Sequence, residues 1–381
     1  MTERDYYLWL ASISNIEVPI KHKLINCFKT PYEVYNVSRN VLEKYGYEAV
    51  TIDKIIDAKK IDVSYIKEEM YKQDIKFISY NDNDYPEKFR NIYNPPLGVF
   101  YKGKLQCDKP SVAIIGARTC SEYGKEITKQ FAKKLAENDI TVISGLAIGI
   151  DGHAHEGALA GNGYTIGLLG NSIDTVYPNY NIDLFEQMYE SGCVMSEYYI
   201  GSPTLKTHFP ERNRLISALS DLVLVVEART KSGTMITVDR ALEQGKDVFV
   251  IPVRIGDNLS EGCLKLAKQG ASIATSYMDI LDYLNNLYGN PLKIESEKDC
   301  QYTFLTDNLT TNDELLQNKH KITLEKNEIM VYALLSLTPT HINELIGRSE
   351  LTYFQVIEAI GKLSIKNLIN CVGAEYYVKK E

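Results

Sequence analysis

A chain of 381 residues exceeds one ordinary domain, and two or three are expected at roughly 100–200 residues each. Its 44% hydrophobic and 24% charged residues exclude a wholly disordered protein, a collagen-like repeat and a coiled-coil rod. The 42 Lys and Arg against 50 Asp and Glu give a formal charge of -8, which argues against a general coat of nucleic-acid-binding charge. A local basic pocket is still compatible with that total, because screening confines fields to about 8 Å.

The seven cysteines (Cys27, Cys107, Cys120, Cys193, Cys263, Cys300 and Cys371) are scattered, and none forms a CxxC. Neither a disulfide scaffold nor a zinc ribbon fits them. The opening MTERDYYLWL carries charge inside its apolar stretch, and no run of 18 apolar residues occurs. No signal peptide or membrane span is expected, and a reducing cytoplasm is the expected location.

Residues 1–80 read as short helices. Leu8-Trp9-Leu10 begins one apolar face, and Leu24, Ile25 and Phe28 continue another at helical spacing. From Asp84-Tyr85 the character changes: Pro86, Pro95 and Pro96 punctuate the chain, and Leu97–Tyr101 reads as a strand entering the next domain. Residues 111–275 then alternate strand and helix. Val112–Ile115, Thr141–Ile143, Thr165–Leu169, Leu222–Val226 and Val248–Ile251 are continuous apolar runs, as found in strands buried on both faces. Asp151 is expected to cap an alanine-rich helix. Strand, glycine turn and helix in repetition predict a doubly wound α/β domain of Rossmann type. Residues 286–325 are polar and aperiodic and read as a linker. Three helices and a hairpin are predicted in residues 326–381, the pattern of a winged helix.

Phosphates bind where helix N-termini leave backbone amides unpaired. Three strand ends offer such turns: Gly116-Ala117-Arg118-Thr119 with Ser121 as N-cap, Ser144-Gly145-Leu146-Ala147, and Ser232-Gly233-Thr234. In an open parallel sheet these ends share one rim, and ligands bind where strand order reverses. The dinucleotide fingerprint is absent, since Arg118 and Ser121 stand where glycines would be required. The P-loop is absent too, and no cofactor is expected. The richest cluster is Lys206-Thr207-His208-Phe209-Pro210-Glu211-Arg212-Asn213-Arg214. Cations for phosphates, an aromatic face for a base and an amide for base edges are what a single strand asks for. The competing reading makes Phe209 core and pairs Arg212 and Arg214 with acidic neighbours.

Other residues are weighed and set aside. His153 and His155 would splay roughly 200° apart on a helix, so with Glu156 they make a poor metal site. Ser144 lacks the GxSxG context of a nucleophile. Glu197 and Glu227 could be acid/base groups or partners of buried arginines.

With these residues in view, the chain resembles the DNA-processing protein A family (DprA, also called Smf). The motifs run in order through Ile115–Arg118, Ser144–Ala147 with Gly149-Ile150-Asp151, Ala154-His155, Tyr177-Pro178 and Ser196-Glu197. They continue through Phe209–Arg214, Val226-Glu227-Ala228, Ser232-Gly233-Thr234 and Gly270-Ala271. The resemblance implies a non-enzymatic protein that binds single-stranded DNA, protects it in natural transformation, loads the RecA recombinase onto it, and forms a homodimer through its Rossmann-like domain. It implies DNA-binding positions at Arg118, Lys206, Phe209, Arg212 and Asn213, with backbone contacts at Ser144-Gly145 and Ser232-Gly233. Gly116 and Thr234 belong to the same turns. The implied domains are a SAM- or helix-hairpin-helix-like helical domain (1–80), an extended Rossmann-like DNA-binding domain (81–285), the linker (286–325) and a winged helix (326–381). Two positions depart: Ile148 stands where the family often has Arg, and Pro252-Val253 where it has Pro-Gly.

Two other functions compete. The Rossmann part is distantly similar to nucleoside-monophosphate phosphoribohydrolases with Pro-Gly-Gly-x-Gly-Thr-x-x-Glu. Placing their Gly-Thr on Gly233-Thr234 puts Thr237 where the catalytic Glu belongs. A nucleotide-sensing module whose winged helix reads a duplex is disfavoured, because its third predicted helix holds only Lys362 and Lys366.

Overall fold

The N-terminal segment forms α1 (Glu3–Ala11), α2 (Val18–Phe28), α3 (Pro31–Asn36), α4 (Arg39–Lys44), α5 (Ala49–Ala58) and α6 (Val63–Lys72). Thr2 and Asp5 make a reciprocal capping box that starts α1. Trp9 is fully buried, and its indole N–H donates to the Ala58 carbonyl at 2.7 Å, tying α1 to the end of α5. The computed structural model describes residues 1–289, 325–336, 339–349, 351–366, 368–373 and 375–380. It forms two compact units, Met1–Glu295 and Ser296–Glu381.

The helical segment ends earlier than its sequence suggests. Lys76–Ser79 is a strand, β1, buried at three of its four residues and paired antiparallel with β2 (Gly98–Gly103); α7 (Glu87–Arg90) lies between them. The core follows in chain order: β3 (Ser111–Ile115), α8 (Glu122–Glu137), β4 (Thr141–Ser144), α9 (Ile150–Ala160), β5 (Thr165–Leu169), α10 (Ile182–Ser191) and β6 (Cys193–Ser196). It continues through α11 (His208–Leu219), β7 (Leu222–Val225), α12 (Gly233–Glu243), β8 (Asp247–Val250), α13 (Glu261–Lys268), β9 (Ser272–Ile273) and α14 (Tyr277–Tyr288). The strands make one sheet in the order β1-β2-β6-β5-β4-β3-β7-β8-β9. It is parallel from β6 to β9, with β1 and β2 added antiparallel at one edge.

The continuous apolar strands are explained by helices on both faces. Val112 and Ile114 pack with Phe131, Leu135, Ala158 and Leu281 on one side; Ala113 and Ile115 pack with Leu215, Leu219, Val238 and Leu266 on the other. Each such fully buried Leu, Ile, Val or Phe contributes about 1.5–3 kcal/mol. The N-terminal helices share a third core with α10, where Leu10, Leu24 and Ile55 join Phe185 and Met188.

Ser121 is the N-cap of α8, accepting from the Gly124 amide at 3.0 Å. Its own amide (2.9 Å) and hydroxyl donate to buried Glu227 at the end of β7. Ser121→Ala removes the cap and one donor to a buried carboxylate. The expected loss is about 1–3 kcal/mol in a denaturant titration. Asp151, in contrast, does not cap α9. The N-cap is Gly149, and Asp151 lies inside the first turn.

Helix α14 extends through Tyr288, into the stretch read as linker; most of that linker, 290–324, lies outside the described residues. The second unit contains α15 (Lys326–Leu334), β10 (Thr340–His341), α16 (Ile342–Ser349), α17 (Tyr353–Ile365), β11 (Ile369–Gly373) and β12 (Tyr376–Lys379). Its sheet order is β10-β12-β11, and its own core includes Val331, Leu345, Val356, Leu363 and Ile369. Among the described residues, no helix is long and apolar enough to cross a membrane.

Candidate nucleic-acid interface

A narrow notch opens at the carboxyl ends of β3, β4 and β5, beside the start of α11. Its lining includes Arg118, Gly145, Gly170, Tyr177, Phe209 and Arg212. Phe209, in the first turn of α11, is half-buried. Its ring lies 5.7 Å from Tyr177, and the Arg118 guanidinium stands 6.0 Å from its centroid. Arg118 is exposed on the turn after β3, at the distance of a cation–π contact. The notch therefore presents one solvent-facing guanidinium and two aromatic rings at the rim of the sheet.

Gly170 makes this arrangement possible. A Cβ there would lie 2.7 Å from Phe209 Cδ1 and 3.0 Å from Phe209 Cα. Gly170→Ala is expected to displace the ring and cost about 1–3 kcal/mol by overpacking, read as a lower melting temperature.

The floor sets a buried arginine near the half-buried carboxylate of Asp151. Arg212 is only 6% exposed, and its Nη1 donates to the carbonyls of Gly145 (3.0 Å) and Leu168, while Nε donates to Asn213 Oδ1 at 3.2 Å. Burial pushes its pKa down to about 10, and Asp151 opposes that shift. Burial likewise raises the Asp151 carboxyl, against the pull of Arg212 and the Gly145 amide. That amide donates to Asp151 Oδ2 at 3.2 Å. A Cβ on Gly145 would fall 2.6 Å from Asp151 Oδ2 and 2.9 Å from Arg212 Nη2, so the pair needs glycine there. Arg212 fixes the turn after β4 and has its charge balanced from below. The open cation is Arg118.

The remaining residues singled out from the sequence lie around the notch rather than in it. Lys206 is exposed on the turn before α11. Asn213 is buried, and its Nδ2 reaches the Gly233 carbonyl at 3.4 Å. Ser144 is buried, with its hydroxyl donating to Ile114 O at 2.6 Å. The Thr234 hydroxyl donates to Gly116 O at 3.0 Å, joining the turns after β3 and β7. Ser232 is the N-cap residue of α12, but its hydroxyl turns to Arg229 O at 2.9 Å. Gly233 is exposed with open space beside it.

Arg214 is spent on Glu197, both largely buried, as the competing reading of that cluster expects. Glu227 holds Ser121 instead of an arginine. His153 bonds Glu156 at 3.0 Å, whereas buried His155 bonds Thr165 Oγ1 at 2.7 Å, so the two rings serve different partners. Burial pushes His155 down to about 3, and Cys120 and then Glu156 hold His153 up at about 9.

Tyr177 and Asn171 line the notch with no role legible in the sequence, and Ile148 lines it at the position where the family often has Arg. Asn171 donates to the Thr175 carbonyl at 2.6 Å and shapes the loop that brings Tyr177 to Phe209. The available signal in the sequence is the Tyr177-Pro178 dipeptide.

The family model described as DNA recombination-mediator protein A matches residues 76–285. Protein Smf of Synechocystis is 30% identical over 390 residues, covering 97% of each chain. The X-ray structure of DNA processing protein A (DprA) from Streptococcus pneumoniae matches at 34% identity and a TM-score of 0.65, covering 74% of this chain and 98% of that one. DNA processing protein A of Helicobacter pylori, whose structure concerns a single-stranded DNA binding mode, matches at 32% identity and a TM-score of 0.51, covering 55% and 96%.

Proposed function

This chain belongs to the DNA recombination-mediator protein A family, and on that premise we propose that it binds single-stranded DNA in the notch after β3, β4 and β5. It is a recombination mediator and not an enzyme. It protects incoming single strands in natural transformation and hands them to the RecA recombinase, acting as a homodimer through the sheet-bearing domain in the cytoplasm. The observation that carries this reading is the meeting of Arg118 with the Phe209 and Tyr177 rings. A guanidinium takes a phosphate while rings stack on any base, so binding is sequence-tolerant. Lys206 supplies a second cation outside the notch. Gly116, Ser144, Gly145, Ser232, Gly233 and Thr234 supply the turns, and Arg212 and Asn213 hold them in place.

A fluorescence-polarisation titration with labelled oligo-dT at several salt concentrations tests this. Log affinity is expected to fall with log salt at a slope near −0.7 per phosphate contact. Absent or salt-insensitive binding refutes the reading. The assembly of RecA on the same strand, followed with and without this protein, tests the hand-over.

The second unit is read as a winged helix. The cation inside α17 and the one at its C-cap are both committed: Lys362 to Glu325 (2.7 Å) and Glu358 (2.9 Å), and Lys366 to Glu328 (2.7 Å). A fragment spanning 325–381, which keeps both carboxylates on Lys362, is therefore expected to bind duplex no more tightly than single strand; tight, sequence-selective duplex binding would reverse this.

A further inference from the structure

The rim that holds the notch does not stop at β3. From β3 the chain lays β4, β5 and β6 to one side and β7, β8 and β9 to the other, so strand order reverses between β3 and β7. Open α/β sheets bind ligands at that reversal. The notch lies on its β4–β5 side, and the turns after β7 and β8 lie on the other.

Those turns carry exposed Arg229, Lys231 and Arg254. Among the described residues, none of the three makes an ion pair. The strands that lead into these turns end level with β3, because Ile115 pairs with Val225 and Val225 with Val250. They are also tied to the notch. Thr234 bonds Gly116, and the Ala228 amide, next to Arg229, donates to Leu259 O at 2.8 Å in the connection that carries Arg254. Glu227, the acid nearest in sequence to Arg229, is buried and spent on Ser121. Asp257 and Glu261 follow Arg254 and end the run of cations there. From β3 to β8 is two strand spacings, about 10 Å.

We propose that the single strand held in the notch continues across the ends of β7 and β8, where its neighbouring phosphates meet Arg229, Lys231 and Arg254. This rests on the single-strand reading above.

The test compares full-length wild type, Arg118→Ala and the triple variant Arg229→Gln/Lys231→Gln/Arg254→Gln. Each is titrated with oligo-dT of about 4 and about 16 nucleotides over a salt series. All four substitutions are at exposed positions, and equal melting temperatures check folding. On the longer strand, the triple variant is expected to lose about two units of salt slope, three contacts at about 0.7 each. On the shorter strand it is expected to match wild type, while Arg118→Ala weakens both. A triple variant with wild-type slope on the longer strand, beside a weakened Arg118→Ala, overturns the strip and leaves the notch standing. An unaffected Arg118→Ala overturns the notch reading itself.

Discussion

Arg118→Ala lowers affinity for oligo-dT by about ten- to a hundredfold, at an unchanged melting temperature. A charge-assisted hydrogen bond contributes about 1.5–3 kcal/mol, and Arg118 is the exposed guanidinium of the notch. Its removal also takes the cation from beside the Phe209 ring. The salt slope becomes shallower by about 0.7, the share of one phosphate. Arg118→Lys keeps the charge but not the planar fork and recovers only part of the affinity. Because the side chain is exposed, folding is untouched. An affinity within twofold of wild type at low salt would remove Arg118 from the site.

Arg212→Met behaves in the opposite manner, with stability falling first. Arg212 fills carbonyl acceptors at Gly145 and Leu168 and is the nearby positive charge for half-buried Asp151. Removing the guanidinium leaves both carbonyls unfilled and Asp151 without its cation, at about 3–5 kcal/mol. In a unit of this size that lowers the melting temperature by about 5–8 °C. The pH dependence has a definite sign. In the folded protein Asp151 already sits above its ordinary carboxyl range through burial. Without the arginine the folded state holds its proton more firmly still. A folded-state pKa above the unfolded one means stability that is present at low pH and lost as pH rises through the folded value. The deficit of Arg212→Met relative to wild type therefore narrows as pH falls toward the carboxylate range. Adding Asp151→Asn recovers part of it at neutral pH. A single variant as stable as wild type, or a deficit that widens in acid, would show that the pair does not brace the turn after β4.

These two arginines show where reading the chain stops. Both carry the same charge, and both lie in motifs that pointed to phosphate binding. Only burial separates them. Arg118 follows a strand on an exposed turn, whereas Arg212 faces inward from α11 onto carbonyls that come from β4 and β5. Similarly, Phe209 is neither the open platform nor the core residue that composition offered as alternatives. Gly170 admits one side of the ring, and Tyr177 flanks it. The end of the helical segment is not legible in the sequence, because Lys76–Ser79 is too short for a period of two to be distinguished from a helical turn.

The sequence alone determined the parallel sheet, since only strands covered on both faces are apolar without interruption. It also determined the glycine and serine turns, whose chemistry is local, and Ser121 as a cap. Tertiary structure alone decided which cations face solvent, that Tyr177 joins Phe209, and that Asp151 sits beneath Gly145. The physical reason is sequence separation. A turn is settled by neighbours a few residues away, but exposure and ion pairing depend on elements dozens of residues apart that meet only when the sheet closes its order.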